Sequence, residues 1–225
     1  MLANLSPQKI GPLECLVLPG QPQGKTAVIF HGYGANYGDL VGLANELGFP
    51  KGTRFIFPNG LLSIPYSAAY EGRAWFHIDW EMLERNVAGL APDYEERRPA
   101  GLDESVLAVQ SMLAELNCPL DQLVLGGFSQ GAMLSLEVAL SLPQQLAGVL
   151  LFSVGLIDRS TWACKMARLG GTRFFQSHGT HDPILPFDQA KTVYSLLVDA
   201  GWQGPFCSFS GGHEIPGRCL AEARQ

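Results

Sequence analysis

The stretch that decides the fold is Leu123-Val124-Leu125-Gly126-Gly127-Phe128-Ser129-Gln130-Gly131-Ala132-Met133. It has the pattern of a short buried strand, then Gly-x-Ser-x-Gly, then an apolar segment with helical periodicity. This pattern predicts a sharp strand-to-helix turn that lifts the Ser129 hydroxyl clear of the backbone. Gly127 and Gly131 suit such a turn because side chains there would clash. With 26 glycines in 225 residues, the bare motif could arise by chance, so its strand and helix context carries the inference.

Short apolar runs alternate with helical patterns along the whole chain, which predicts an α/β protein with a mostly parallel sheet flanked by helices. Residues 1–225 are expected to form a single domain of the α/β-hydrolase type. The predicted strands are Glu14–Leu18, Thr26–Phe30, Arg54–Pro58, Gln122–Gly126, Gly148–Phe152, Arg173–Ser177 and Pro205–Phe209. The predicted helices are Asp39–Leu47, opened by a capping aspartate, Leu102–Leu116, Ser129–Ser141, Asp188–Ala200, and a short one from Pro216 to the end.

Residues 61–100 do not follow this alternation and are predicted to form a small cap or substrate-binding loop. Their first half is rich in aromatic residues, which suit an apolar binding wall. A surface excursion whose aromatics pack on the core is the alternative. The aromatic residues are Tyr66, Tyr70, Trp75, Phe76 and Trp80.

Composition excludes several classes of function. The net charge is −6 and the basic residues are scattered, so nucleic-acid binding is not expected. No apolar run has the length of a membrane span, and the first residues do not resemble a secretory signal, so the expected location is cytoplasmic. The five cysteines show no Cys-x-x-Cys spacing, which favours free thiols in a reducing compartment over a disulfide framework.

A serine nucleophile needs a base within hydrogen-bond reach and a third group that orients the base. In this fold the order along the chain is Ser, then an acid, then His. The histidines after Ser129 are His178, His181 and His213. We favour His213 because it lies in a glycine-rich loop after the last predicted strand, expected near the centre of the sheet.

For the acid we favour Asp182, which follows the strand Arg173–Ser177 through a His-Gly turn, and Asp158 is the rival. The acid would fix the tautomer of His213 and stabilise the imidazolium that forms. The cluster of His178, His181 and Asp182 could also be interpreted as a metal site, but its spacing is poor and no further ligands accompany it. The sequence therefore predicts neither a metal nor a cofactor.

The oxyanion hole of such an enzyme uses two backbone N–H groups. One would come from Gln130, the residue after the nucleophile. The other would come from Tyr33, in the glycine-rich turn that follows Thr26–Phe30. His31 precedes Ser129 in the chain and fails the order test, so we expect it to hold this turn in place.

Motifs along nearly the whole chain resemble the bacterial carboxylesterase and lysophospholipase family that includes the acyl-protein thioesterases. The resemblance implies Ser129, Asp182 and His213 as the triad and Tyr33 with Gln130 at the oxyanion hole. His77 stands where that family commonly has Asp, and Ala132 where it has Gly. The matching motifs are Phe30-His31-Gly32-Tyr33-Gly34-Ala35-Asn36, Phe57-Pro58-Asn59-Gly60, Ala74-Trp75-Phe76, Gly126-Gly127-Phe128-Ser129-Gln130-Gly131, His178-Gly179 with Asp182-Pro183, and Gly211-Gly212-His213-Glu214-Ile215.

The sequence thus predicts a serine hydrolase of carboxylic esters, thioesters or lysophospholipids that acts through an acyl-enzyme. Its expected partner is a small-molecule or lipid ester, with Trp75 and Phe76 as substrate-binding residues, and the chain could form a homodimer. Two alternatives stay open at this point. One is a hydrolase of small lactones on the same scaffold, and the other is a catalytically silent binding module.

Overall fold

The computed structural model describes residues 6–67, 70–91 and 94–224, and it gives an eight-stranded sheet in the order β1-β2-β4-β3-β7-β8-β9-β10. The strands from β4 to β10 in this order run parallel, while β1 and β2 are antiparallel at one edge. The predicted mostly parallel sheet is therefore confirmed. The strands are β1 Gln8–Ile10, β2 Leu13–Leu18, β3 Thr26–Phe30, β4 Arg54–Pro58, β7 Leu123–Phe128, β8 Gly148–Phe152, β9 Phe174–Gly179 and β10 Phe206–Phe209.

The centre of this sheet places the functional loops side by side. Strands β3 and β7 are neighbours, with Phe30 paired to Gly127, so the turn after β3 lies beside Ser129. Strands β3 and β8 are buried at every position, as expected for strands covered by helices on both faces. The expectation that His213 follows a strand near the sheet centre was wrong, because β10 is the edge strand.

Helices pack on both faces of the sheet, and most of their predicted bounds agree with the structure to within a residue or two. The predicted helix Asp39–Leu47 is an exception, because α1 has only four residues and its N-cap is Gly42 rather than an aspartate. The preceding turn is held instead by the Asn36 and Asn59 side chains, which accept from the N–H groups of Gly38 and Tyr37. The helices are α1 Leu43–Glu46, α2 Trp80–Val87, α3 Leu102–Leu116, α4 Gln130–Ser141, α5 Arg159–Met166, α6 Phe187–Asp199 and α7 Gly217–Ala223.

None of the helices in the described ranges combines the length and the apolar character that crossing a bilayer requires.

The segment 61–100 contains a hairpin and a helix that the sequence did not predict. Strands β5 (Leu62–Ser67) and β6 (Tyr70–Ala74) pair as an antiparallel ribbon apart from the main sheet, and α2 follows. Asp79 caps α2 by accepting a hydrogen bond from the Met82 N–H at 3.0 Å. The side chains of Tyr66 and Tyr70, two of the predicted wall aromatics, lie outside the described residues.

One arginine fastens the end of this segment to the body of the protein. The Arg98 guanidinium donates to Asp158 at 2.7 Å, to Glu137 at 3.1 Å and to Asp103 at 2.5 Å. Glu137 lies in α4, and its side chain is only 1% exposed. The Trp162 indole N–H and the Lys165 ammonium also donate to that carboxylate.

The cysteines depart from the expectation. Cys207 in β10 and Cys219 in α7 form a disulfide, with their Cα atoms 5.8 Å apart. Cys15, Cys118 and Cys164 are free. The prediction of free thiols throughout was therefore wrong for this pair. A separation of twelve residues has no diagnostic pattern, and the two cysteines meet only because α7 folds back onto the edge strand.

The Arg98 cluster gives a stability prediction. Arg98→Met leaves the buried Glu137 carboxylate with one cationic partner fewer, and we expect the free energy of unfolding to fall by about 3 kcal/mol. Arg97→Met is the matched control, since Arg97 is exposed and forms no ion pair within the described ranges, and it should change stability by less than about 0.5 kcal/mol. Urea unfolding of both variants measures the difference. Equal losses of stability in the two variants would contradict the stabilising role of the Arg98 cluster.

Candidate active site

Ser129 sits on a turn that only close packing can impose. Its backbone has φ 55° and ψ −119°, a positive φ that non-glycine residues rarely adopt. The turn is this sharp because α4 begins directly against the sheet. A Cβ on Gly131 would overlap the carbonyl oxygen of Phe30, and a Cβ on Gly127 would overlap the backbone of Gly131. Both glycines are therefore required by close approach, as the sequence predicted.

The predicted acid and base are joined by a hydrogen bond. His213 Nδ1 lies 2.7 Å from Asp182 Oδ2, and the Asp182 side chain is fully buried. The other carboxylate oxygen of Asp182 accepts from the N–H groups of Ile184 and Leu185, both at 2.9 Å. Burial raises the pKa of Asp182, but the hydrogen bonds from His213 and these N–H groups outweigh it, so the pKa lies below its ordinary value. Asp182 is thus an ionised partner for an imidazolium.

Ser129 and His213 face the same cavity. The His213 ring packs at 4.7 Å between centroids against Phe128, the residue before the nucleophile. No hydrogen bond within the described ranges joins the Ser129 hydroxyl to His213. Catalytic hydrogen bonds of hydrolases are often long before substrate binds and shorten in the complex. The two side chains therefore share one cavity without a direct hydrogen bond between them.

The rival residues have other partners. Asp158 is bound to Arg98 in the cluster described above. His178 is fully buried, 3.3 Å from Asp182 and 3.0 Å from the Leu185 carbonyl, so it supports the turn that holds the acid. Burial lowers the pKa of His178, which keeps this ring neutral. His181 is exposed and contacts Thr180. The described part of the chain contains no group of three His, Cys, Asp or Glu side chains placed to bind a metal ion.

The turn after β3 is held by His31, as predicted. The Gly60 N–H donates to His31 Nε2 at 3.0 Å, so the ring proton resides on Nδ1 and is donated to the Gly32 carbonyl at 2.7 Å. The ring is buried, and burial lowers the pKa of His31 to about 4. Tyr33, two residues after His31, has a backbone N–H that donates to no protein group in the described ranges.

Gln130 has a role that the sequence reasoning missed. Its side chain is buried, and the amide oxygen accepts from the Trp75 N–H while the amide nitrogen donates to the Phe76 carbonyl, both at 2.8 Å. One residue thus begins the helix after the nucleophile and fixes the start of the cavity wall. The Phe-Ser-Gln-Gly form of the motif carried this signal, since a side-chain amide has a donor and an acceptor at its two ends.

The two aromatic residues expected to bind substrate differ in position. Phe76 lines the cavity, whereas Trp75 is fully buried behind the wall. The Trp75 ring packs on Phe30 and His31, and its indole N–H donates to the His31 carbonyl at 2.9 Å. Trp75 therefore supports the turn that bears Tyr33.

The cavity beside Ser129 has a volume of about 260 Å³ and a mainly apolar lining. Much of this lining comes from the segment 61–100, as the sequence predicted. A second cavity of about 310 Å³ lies alongside, and the two share His77, Ile78, Tyr94, Pro99 and Ile157. The apolar residues that line the first cavity include Tyr33, Phe76, Ile78, Trp80, Leu83, Tyr94, Met133, Ile157, Ile184 and Leu185.

Sequence comparison finds similar proteins over most of the chain. The family model described as phospholipase/carboxylesterase matches residues 13–225. Acyl-protein thioesterase 1 of Eremothecium gossypii is 30% identical over 213 residues, which cover 90% of this chain and 86% of that protein. Acyl-protein thioesterase 1 of Candida albicans is 29% identical over 196 residues, which cover 80% of each chain.

Solved structures show the same architecture. The crystal structure of esterase PE8 superposes with a TM-score of 0.77 at 25% identity, covering 94% of this chain and 96% of that one. A carboxylesterase from Mesorhizobium loti superposes with a TM-score of 0.76 at 18% identity, covering 98% and 97%, and shows likeness of fold alone. The predicted α/β-hydrolase fold is confirmed.

The His31 ring makes stability depend on pH. Its pKa is about 4 in the folded protein and 6.5 as the ordinary value, so between these values the unfolded chain binds the extra proton. The free energy of unfolding should therefore fall as the pH drops from about 6.5 to about 4. We expect His31→Gln to reduce that slope by up to about 1.4 kcal/mol per pH unit. The part of the slope that the buried His178 contributes should remain. Urea melts across this range measure it.

His181→Gln is the control for this prediction, because that ring is exposed. It should leave the slope as in the parent protein. An unchanged slope in His31→Gln would contradict the conclusion that the His31 ring is buried and neutral in the folded protein.

Proposed function

We propose a catalytic assignment for this chain, which belongs to the phospholipase/carboxylesterase family and is an ester hydrolase. Ser129 attacks the carbonyl carbon of a carboxylic ester or thioester, and His213 accepts its proton. His213 then protonates the leaving group, and a water activated by the same ring releases the acyl group from Ser129. Asp182 holds the His213 ring and stabilises its positive charge.

The observation that carries this proposal is the 2.7 Å hydrogen bond between His213 and the buried Asp182, beside a serine at positive φ in the same cavity. A carboxylate with two further N–H donors stays ionised when the ring becomes charged. It also selects the tautomer whose Nε2 is free to face the serine. The three residues come from the turn after β7 and the loops after β9 and β10, which lie at the same end of the sheet.

The backbone N–H groups of Tyr33 and Gln130 are proposed to stabilise the oxyanion. Gln130 is the first residue of α4, where the helix leaves N–H groups without internal acceptors and the helix dipole favours negative charge. Tyr33 follows Gly32, where a Cβ would lie 3.6 Å from the Ser129 Cβ, and the Tyr33 N–H has no protein acceptor in the described part of the chain. Each such donor typically contributes about 10²–10³ in kcat.

The apolar cavity supports an acyl group as the part of the substrate that binds beside Ser129. At about 260 Å³ it falls just below the usual range for small ligands, roughly 300–1,000 Å³, so we propose short to medium acyl chains. The described cavity walls offer no charge cluster that would select a charged acyl group. We propose that contacts with the leaving group of the substrate distinguish oxygen esters from thioesters and small-molecule esters from lipid esters.

A cytoplasmic location and a homodimer also remain proposals. Cytoplasmic thiols are mostly kept reduced, so in that location the Cys207–Cys219 disulfide would form transiently, as in redox-sensing pairs. Alkylation of thiols in intact cells before lysis would report the state of this pair, and light scattering on a gel-filtration column would report the number of chains.

Removing the nucleophile tests the assignment. Ser129→Ala should lower kcat on linear esters by at least about 10³-fold with an unchanged circular dichroism spectrum. Ser141→Ala is the control, because it removes a hydroxyl from the far end of the same helix. Residual activity of Ser129→Ala within tenfold of the parent would exclude Ser129 as nucleophile. Faster opening of small lactones than of any linear ester would favour the lactone alternative.

The shared wall of the two cavities gives a specificity prediction. Each acyl methylene buried in the first cavity should raise kcat/KM by about fourfold, from about 0.8 kcal/mol per group, until the cavity is full. Ile157 contacts both cavities, so Ile157→Ala should join them and shift the optimum to longer chains. An ester series of increasing acyl length measures the optimum, with exposed Leu107→Ala as the control. An unchanged optimum in Ile157→Ala would contradict this acyl site.

A further inference from the structure

The single disulfide of the described chain encloses the loop that carries His213. Cys207 lies in the edge strand β10 and Cys219 in the first turn of α7, and His213 is six residues from each. Strand β10 is separated from β7 by β8 and β9. At about 4.8 Å between neighbouring strands, the loop must therefore reach back roughly 14 Å across the sheet to bring His213 to Ser129.

The two halves of this loop are attached very differently. The first half is bound to the end of β9, since the Phe209 and Gly211 carbonyls accept from the N–H groups of Thr180 and His181 at 2.7 and 3.0 Å. The second half, residues 212–218, makes no backbone hydrogen bond to the sheet within the described ranges. The Arg218 side chain donates to the Ser208 carbonyl, and both residues lie within the segment that the disulfide closes into a ring.

Besides the disulfide, the helix that ends the loop is held at its C-terminal end, where the Arg224 side chain donates to the Glu46 carbonyl at 2.6 Å. Helix α7 has seven residues, and Cys219 and Leu220 are the ones buried. The disulfide is the covalent tie between this short helix and β10, and both sulfur-bearing residues lie in the core, at 4% and 0% exposure. Closing a ring of this size excludes most of the conformations that a free loop would sample.

We propose that the Cys207–Cys219 disulfide is a positioning device for the general base, so that hydrolytic activity depends on its redox state. The inference rests on the proposed role of His213. Reduction by a dithiol transfers two electrons and two protons to the pair. The Sγ–Sγ bond breaks, two thiols form, and the dithiol becomes a disulfide. The His213 loop then samples positions away from Asp182 and Ser129, and kcat falls while the apolar wall from residues 61–100 keeps its position.

The thiol count is the first test. Protein purified in air and titrated in denaturant without reductant should show three thiols, from Cys15, Cys118 and Cys164, against five after reduction. Five thiols without reduction would overturn the proposal, since no disulfide would then exist in the isolated protein.

The second test compares two double variants that each remove two sulfur atoms. Cys207→Ala/Cys219→Ala should lower kcat on a short ester about tenfold, with KM within twofold and an unchanged circular dichroism spectrum. Cys118→Ala/Cys164→Ala, which changes free thiols away from the site, should retain the parent kcat. In proton NMR, the signal of the proton shared by His213 and Asp182 should weaken only in the first variant. A parent-like kcat and signal there would overturn the proposal.

A third measurement avoids substitution in the core. The parent protein incubated with dithiothreitol at low temperature should lose activity slowly, because the buried bond is reached only when α7 opens, and reoxidation should restore it. Full activity after complete reduction would overturn the proposal. The proposed function fails in a different way. If His213→Ala stays active, His213 is not the general base. If His213→Ala is inactive but the fully reduced protein is fully active, only the positioning role of the disulfide is contradicted.

Discussion

The site depends on one steric constraint, the absence of side chains where α4 meets strands β3 and β7. A Cβ at Gly131 would overlap the Phe30 carbonyl, and one at Gly127 would overlap the start of the helix. The helix can therefore begin directly at the strand ends only if both residues are glycine. This approach forces Ser129 to positive φ and places it beside the turn that bears Tyr33. The local backbone strain is of the order of 1–3 kcal/mol and is supported by the buried packing around it.

From this point the structure extends through side chains that each hold two elements together. Gln130 binds the backbone of Trp75 and Phe76, Trp75 binds the His31 carbonyl, and His31 binds Gly60. On the far side of the cavity Arg98 joins the segment 61–100 to α4 through the buried Glu137. The cavity wall and the turn after β3 are thus connected to the start of α4 by hydrogen bonds rather than by the central sheet alone.

The sequence predicted those parts whose signal is local. Buried runs such as Thr26–Phe30 and Gly148–Phe152 became strands with the predicted bounds. The predicted serine and base, Ser129 and His213, line one cavity, and the predicted acid binds His213 behind it. Asp182 could be separated from Asp158 only by contacts, because both follow parallel strands. In the structure Asp182 contacts His213, whereas Asp158 contacts Arg98.

The features that were missed depend on packing between distant parts of the chain. The helix expected from Asp39 was shortened because Asn36 and Asn59 bind the preceding turn. The edge position of β10 and the Cys207–Cys219 bond follow from how α7 folds back, which no local pattern specifies. Trp75 is behind the wall rather than in it, because its ring packs on Phe30 and His31.

If Ser129 is the activated nucleophile, a fluorophosphonate should label it. We expect one labelled residue, Ser129, found by mass spectrometry of the digested protein, with labelling abolished in Ser129→Ala and strongly slowed in His213→Ala. Labelling at another residue, or none in the folded parent protein, would contradict it.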